Sequence, residues 1–356
     1  MKKVFKRLLQ IILILVLIVV GYLGYVLVTY DRLEDNIVLT VDDSATFDSA
    51  SVDTEYTIIS QNIGFGAYCR DFTFFMDGGV ESRARSEEVI YDDFDKCMKT
   101  IKSYDPDIVV FQEVDTDSDR ALHIDERELI RMDGYNHVFA NNYHGAYLMY
   151  PVTRPHGASK SGISVLSRFK VNSALRRSIV VSDSFSKLLD LDRCFSVNRI
   201  SVDNGKELVV FNAHMSAYGG GEEVRIAQIS KLMGDMKAEY DKGNYVICGG
   251  DFNSDFTGDS VDVLNPGQDI EPQGWMQPFL KELIPEGIHI CTDYTCGEER
   301  ASCRNCDLPY EEGNFTIIVD GFFISDNVEM TYLENVQTGF EYSDHNPVVM
   351  KFVLKG

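Results

Sequence analysis

The stretch Cys248-Gly249-Gly250-Asp251-Phe252-Asn253 closes an apolar run, Tyr245 to Ile247, with two glycines, a carboxylate and an amide. A short β-branched run that ends in glycines reads as a buried strand, which places Asp251 and Asn253 at its end. Side chains two residues apart on a strand point to the same side, so one of the pair is placed to orient water while the other holds a phosphoryl oxygen. A second polar cluster, Ser343-Asp344-His345-Asn346-Pro347, stands just ahead of the apolar segment Val348 to Leu354. There Asp344 offers a hard oxygen ligand and His345 a titratable imidazole.

The same pattern recurs along the chain. Apolar runs at Tyr56 to Ile59, Ile108 to Phe111 and Leu208 to Phe211 are followed by Asn62, by Gln112-Glu113, and by Asn212 and His214. Asp320 lies inside the run Ile317 to Phe323, where a buried acid needs a partner, and His345 is the natural one. Carboxylates, amides and imidazoles at strand ends, with no Ser or Cys nucleophile motif, suit water attack on a phosphoester. Mg²⁺, or Mn²⁺ in its place, takes such a site, because it binds one or two carboxylates and leaves positions for substrate oxygens and water. Taken singly, each residue has a plainer reading. An Asn at a strand end is commonly a turn residue, Glu113 merely leaves a sheet edge, His214 fits a satisfied core histidine, and Asn212 reads as structural even in context.

Segments Gly162 to Phe169, Phe195 to Val202 and Val348 to Leu354 supply further strands. Helical spacing appears at Ile90, Phe94, Cys97 and Ile101, and at Ile226, Ile229, Met233, Met236 and Tyr240. Many strands with two long helices predict an α/β domain of two packed sheets with helices outside.

Six motifs in order, Gln61-Asn62-Ile63, Gln112-Glu113-Val114, Asn212-Ala213-His214, Gly250-Asp251-Phe252-Asn253, Val319-Asp320-Gly321 and Ser343-Asp344-His345-Asn346-Pro347, resemble the endonuclease/exonuclease/phosphatase superfamily. That superfamily includes deoxyribonucleases, neutral sphingomyelinases and inositol-polyphosphate phosphatases. The resemblance implies a four-layer α/β sandwich of two central mixed β-sheets flanked by helices, with the site at one edge. It implies Glu113 as principal metal ligand, assisted by Asn62 and Asp344. His345, oriented by Asp320, is a base or a stabiliser of the phosphoryl group, and Asp251 competes for the role of base. Asn253 would hold the nucleophile or a phosphate oxygen, and His214 would donate to the phosphate or assist the leaving group. Tyr143, His144 and Lys160 are expected in the substrate wall. Arg70, Asp77, Arg83 and Arg85 are either a further substrate contact or a solvated charged loop.

The first thirty residues are a separate object. Lys2, Lys3, Lys6 and Arg7 form a basic tail (1–7) ahead of an apolar run (8–29) long enough to cross a bilayer. With no small-residue cleavage site after it, an uncleaved signal anchor is expected. The basic flank places the N-terminus in the cytoplasm and the rest of the chain outside. Residues 30–54, acidic and rich in Ser and Thr, read as a stalk, and 55–356 as the catalytic domain. Setting aside the four basic residues of the tail leaves 29 Lys+Arg against 56 Asp+Glu, a formal charge of −27 on the outward part. Such a surface repels polyanions. A lipid or small phosphorylated substrate is therefore favoured over nucleic acid, with an extracellular nuclease and a catalytically silent surface binding protein as the rival readings.

Eight cysteines on an outward domain permit disulfides. Cys291, Cys296, Cys303 and Cys306 crowd together, so two disulfides there are the plainer expectation and a structural Zn²⁺ tetrahedron the sharper one.

Overall fold

The runs at 56–59, 108–111, 208–211 and 245–247 are all strand, and each is buried on both faces. The computed structural model describes residues 2–29, 32–181, 192–217, 221–268, 270 and 274–356. Two seven-stranded sheets carry the fold. The first runs in spatial order Ile37–Val38 (β1), Val171–Ser178 (β7), Cys194–Ser201 (β8), Glu207–His214 (β9), Tyr245–Asp251 (β10), Asp320–Ser325 (β14) and Ile288–Ile290 (β11). The second runs Val328–Asn335 (β15), Val348–Leu354 (β16), Glu55–Asn62 (β3), Ile108–Asp115 (β4), Gly157–Ser167 (β6), Asn136–Leu148 (β5) and Val41–Asp42 (β2). Cys303–Arg304 (β12) and Thr316–Ile317 (β13) form a small ribbon. The sheets are mixed, because β3 and β4 pair parallel, as do β9 and β10, while the other pairs are antiparallel.

Each parallel pair is joined through a helix, as a parallel crossover requires. Glu87–Ser103 (α2) connects β3 to β4, and Gly221–Tyr240 (α3) connects β9 to β10. The N-terminus of α2 is fixed by Ser86, whose side chain accepts from the Val89 amide, with Glu87 and Glu88 in the favourable first turn. Its apolar face, Ile90, Phe94, Cys97 and Ile101, packs on Ile59, Val109 and Phe111 of the second sheet. The alternate residues Ile58, Ile108 and Val110 belong to the core that includes the first sheet. On α3 the buried stripe is Ile229, Leu232, Met233 and Met236, whereas Ile226 is exposed. The four layers are helix, sheet, sheet, helix, as expected. Gly249 marks how closely the sheets approach: a Cβ there would lie 3.0 Å from Val110 of the second sheet, besides 2.6 Å from Phe322 of its own.

The segment expected as a stalk is not one. Ile37–Val38 pairs with β7 and Val41–Asp42 with β5, so residues 37–42 add an edge strand to each sheet, and Ala50 is fully buried. An edge strand needs only a few apolar residues and one free neighbour, so the acidic composition concealed it. Residues 30 and 31 of that segment lie outside the described residues. Lys2–Thr29 (α1) is long and apolar enough to cross a membrane, a test that a signal sequence also passes.

Candidate active site

Register brings three of the polar residues side by side. His214 at the end of β9 pairs with Asp251 at the end of β10, and Asp251 pairs with Asp320 at the start of β14. Asp251 Oδ1 accepts from the Asn253 amide at 2.9 Å, and the Asn253 side chain donates to the Met215 carbonyl at 3.0 Å. His345 enters from the other sheet, on the loop ahead of β16, and its Nδ1 lies 2.8 Å from Asp320 Oδ2. Ser302 Oγ donates to the same carboxylate oxygen at 2.7 Å. Asp320 is thereby a positioning residue for the imidazole, as its burial in an apolar run required. The His345 Nε2 atom is left 3.9 Å from Asp251 Oδ2 and 3.6 Å from Cys303 Sγ.

The second sheet supplies the rest. Asn62 ends β3, and its Nδ2 lies 3.0 Å from Asp251 Oδ2 and 3.4 Å from Glu113 Oε1. Ser343 Oγ donates to the Asn62 carbonyl at 2.8 Å, which ties the 343–347 loop to the end of β3. Glu113 reaches the centre through a break in register. Phe111 pairs with Ser164 and Val114 with Gly162, so β4 carries one residue more than β6 across that span. A bulge of this kind re-aims a side chain. Glu113 takes φ of 57° and Asn253 φ of 44°, left-handed conformations that cost a non-glycine residue about 1–3 kcal/mol each. Asn212 has no place at the centre, since it accepts from Gln112 at 2.7 Å and donates to the Phe111 and Ser164 carbonyls, fastening the sheets together.

The centre carries more negative charge than its own cations balance. Burial, with Asp320 nearby, pushes the Asp251 carboxyl up to about 7 despite opposing charge from His345. Burial, with Glu113, likewise raises the Asp344 carboxyl. For His345 burial disfavours the charged form, but Asp320, Cys303 and Asp344 together hold its imidazole well above the ordinary range. His214 goes the other way: burial, and then the neighbouring Arg193 guanidinium, keep it well below, hence neutral.

Asp251, Asp320 and His345 have ligand atoms within 4.8 Å of one another, the tightest such group among the described residues. Asp320 Oδ2 is already engaged by His345 and Ser302, while Asp251 stands 3.9 Å from His345 Nε2. Glu113 and Asp344 offer the carboxylate oxygens suited to a hard divalent cation, whereas Asn62 turns its Nδ2 toward Asp251 and Glu113 while its Oδ1 accepts from the Gly64 amide at 3.0 Å. Glu113 and Asp344 line the same cavity, and Asn62 bonds to the Asp251 carboxylate on its wall.

That cavity measures about 390 Å³. Its floor holds Glu113, His214, Asp251, Asn253, Asp344 and His345, and its walls include Tyr68, Phe74, Phe75, Met76, Tyr143, Leu148 and Trp275. Of the three residues expected in the substrate wall, only Tyr143 lines it. His144 is exposed and faces Lys160 across the β5–β6 pair, while Lys160 meets Asp117 at 3.3 Å. Alternation along β5 sends neighbours to opposite faces, so His144 turns outward. In the loop after Asn62, Asp77 lines the cavity; Arg83 pairs with Asp119, Arg85 with Asp71 and Glu81, and Arg70 lies over Tyr310.

Two arginines escaped the sequence reading. Arg193, just before β8, lines the cavity and bonds His214 Nε2 through Nη1. Neutral His214 therefore accepts through Nε2 from this guanidinium, and Arg193 presents its positive charge to the cavity. Arg120 grips Asp115 with two contacts of 2.8 Å and stands 3.8 Å from Glu113. Neither lies in a motif. The available signal for Arg193 was its position at the start of a strand that pairs with β9, where Cys194 faces His214.

The cysteine expectation is corrected as well. All eight thiols are unbridged, and the four near 300 do not converge. Cys291 packs against Met350 in the core, Cys296 is exposed, and Cys303 and Cys306 face the centre at 3.6 Å from His345 Nε2 and 3.7 Å from Asp344 Oδ2. The β12 ribbon holds Cys303 backbone-to-backbone against His345, and its thiol meets the imidazole.

Comparison with known proteins agrees with this architecture. No curated protein sequence matches the chain. Among solved structures it is similar to an endonuclease/exonuclease/phosphatase from Beutenbergia cavernae, at 16% identity and TM-score 0.57, covering 85% of this chain and 72% of that one. It is also similar to ANGEL2, a 2',3'-cyclic phosphatase in complex with adenosine-2',3'-vanadate, at 15% identity and TM-score 0.56, covering 90% and 99%. The sequence profile of the Endonuclease/Exonuclease/phosphatase family matches residues 60–345, from the middle of β3 to the histidine held by Asp320, and the chain belongs to that family.

Proposed function

We propose that this chain is a membrane-anchored phosphoesterase that uses a divalent cation and hydrolyses its substrate by direct attack of water. The observation that carries the reading is the meeting of Asp251, Asn253 and His345, contributed by both sheets, beside the carboxylate of Glu113. Glu113, Asn62 and Asp344 would hold Mg²⁺ or Mn²⁺, which supplies Lewis-acid charge at the phosphoryl oxygens. Asp251, fixed by the Asn253 amide and by Asn62, faces the cavity as the group that takes the proton of the attacking water. His345, held by Asp320, presents Nε2 to the same space as a donor to the phosphoryl group. Arg193 brings a second positive charge beside neutral His214. The acidic surface and the apolar walls favour a lipid or small phosphorylated substrate over nucleic acid.

The basic tail ahead of α1 supports an N-terminus in the cytoplasm and a catalytic domain outside. ANGEL2 acts on a 2',3'-cyclic phosphate by its name, so a cyclic nucleotide belongs among the substrates to be tried. The test offers the full-length chain in detergent a soluble diester such as bis(p-nitrophenyl) phosphate, a phosphocholine lipid, inositol phosphates, 2',3'-cyclic AMP and plasmid DNA, each with Mg²⁺ and again with a chelator. Chelator-sensitive turnover of the lipid or of a small ester is expected. DNA cleavage without lipid or small-ester turnover overturns the substrate class, and no turnover of any substrate overturns the enzyme reading.

A further inference from the structure

Resting on that reading of a membrane-anchored hydrolase, we propose that the tip of the β5–β6 hairpin sits in the surface of the bilayer crossed by α1, and that the cavity takes its phosphoester from a lipid headgroup presented there. The tether is short. Described chain resumes at Arg32, three residues past Thr29, a span of at most about 11 Å. From that point it is bound to the domain: Arg32 donates to the Ile179 carbonyl at 3.3 Å, Arg176 to the Glu34 carbonyl at 2.8 Å, and Asp35 pairs with Arg177 at 3.2 Å and Lys231 at 2.9 Å. A domain held this way has no freedom to leave the membrane surface.

The hairpin also touches the helix. Tyr22 Oη donates to the Tyr147 carbonyl at 3.1 Å, and the Tyr147 amide donates to Tyr25 Oη at 3.3 Å. Tyr22 lies seven residues before Thr29, about 10 Å along the axis, so the hairpin overlaps the last two turns of α1. Tyrosines favour that interfacial depth. Beyond them the tip, residues 145–153, carries no charge in a protein of net charge −23. It exposes Met149 at 49%, Tyr150 at 60% and Val152 at 84%. The apolar track is continuous with the cavity. Leu148 lines the cavity, and the Tyr150 ring lies 5.6 Å from that of Phe75, another lining residue. The acidic surface argues against an anionic leaflet, so a net-neutral headgroup of the phosphocholine kind fits better. Hydrolysis adds the water oxygen to phosphorus, breaks one P–O ester bond and gives the released alcohol oxygen a proton.

Full-length protein in phosphatidylcholine vesicles with Mg²⁺ tests this, assayed on the vesicle lipid and on soluble bis(p-nitrophenyl) phosphate. The double substitution Met149→Asp with Val152→Asp should lower lipid turnover at least tenfold and leave the soluble ester within twofold. In a parallel variant, Tyr150→Trp, brominated lipid should quench the added fluorescence. Equal lipid turnover in the Asp variant, or fluorescence indifferent to brominated lipid, overturns the proposal. So does wild-type protein that cleaves the soluble ester but no lipid, a result that leaves the hydrolase reading standing. Quenching without turnover of either substrate overturns the hydrolase reading and the lipid substrate together, while keeping the hairpin in the membrane.

Discussion

The floor of the cavity and its hairpin rim are built on opposite principles. The floor is polar and buried, and strand register sets it: His214, Asp251 and Asp320 stand in one row because β9, β10 and β14 are neighbours. The rim is apolar and exposed, and it is placed by contact with a helix about 120 residues away in sequence. Losing a floor group should remove chemistry and leave the fold, whereas altering the rim should change which substrate arrives.

The largest effect is expected in the floor. Asp251→Asn keeps the shape but removes the proton acceptor, and should cut turnover by about 10²–10⁴ with little change in KM or melting temperature. Measured kcat on the soluble ester decides it, and a loss below tenfold would assign the base elsewhere. Arg193→Ala comes next, at about 10–100-fold in kcat, with Arg193→Lys restoring part of the rate because a point charge replaces the planar guanidinium. If Lys and Ala prove equivalent, the positive charge of Arg193 has no part in turnover.

A stability test addresses how the rim is carried. A chain beginning at Glu55 loses β1, β2 and the Glu34 carbonyl that satisfies buried Arg176, whereas one beginning at Arg32 keeps them. Losing one of the four acceptors of Arg176 costs about 1.5–3 kcal/mol, and the apolar burial of Ala50 goes with it, so the shorter chain should melt several degrees lower by calorimetry. Equal melting temperatures would restore the stalk.

The smallest effect lies away from both regions, on α2. Burial raises the Asp93 carboxyl to about 8, so the folded state keeps a proton that the unfolded chain releases near pH 4. Stability then falls as pH rises between about 4 and 8. Asp93→Asn should raise the melting temperature by a few degrees at pH 8 and scarcely at pH 4, and a pH-independent change would contradict the sign.

Much of the floor was legible because each polar residue follows a buried apolar run, a local signal. Asp320 announced its partner by being an acid inside Ile317 to Phe323, and His345 is that partner. Glu113 was legible as a residue, though its bulge and left-handed backbone were not, since nothing in Gln112-Glu113 records the register of β6. Arg193 and Arg120 were missed because their roles come from neighbours on other strands. Proximity in sequence misled at Cys291, Cys296, Cys303 and Cys306, where Cys291 packs in the core, Cys296 is exposed and β12 sets Cys303 against His345. The edge strands within 37–42 were hidden for a related reason: two-residue pairings leave too little pattern to read.

Hydrolysis is proposed to depend on one divalent cation held by Glu113, Asn62 and Asp344. Mn²⁺ binding to the full-length protein, followed by loss of the free-ion paramagnetic resonance signal alongside soluble-ester turnover, tests it most directly. Saturable binding and turnover should rise together and both be abolished by Glu113→Gln, with binding retained in Asp251→Asn. Turnover that persists in chelator, or Mn²⁺ binding unchanged in Glu113→Gln, would contradict it.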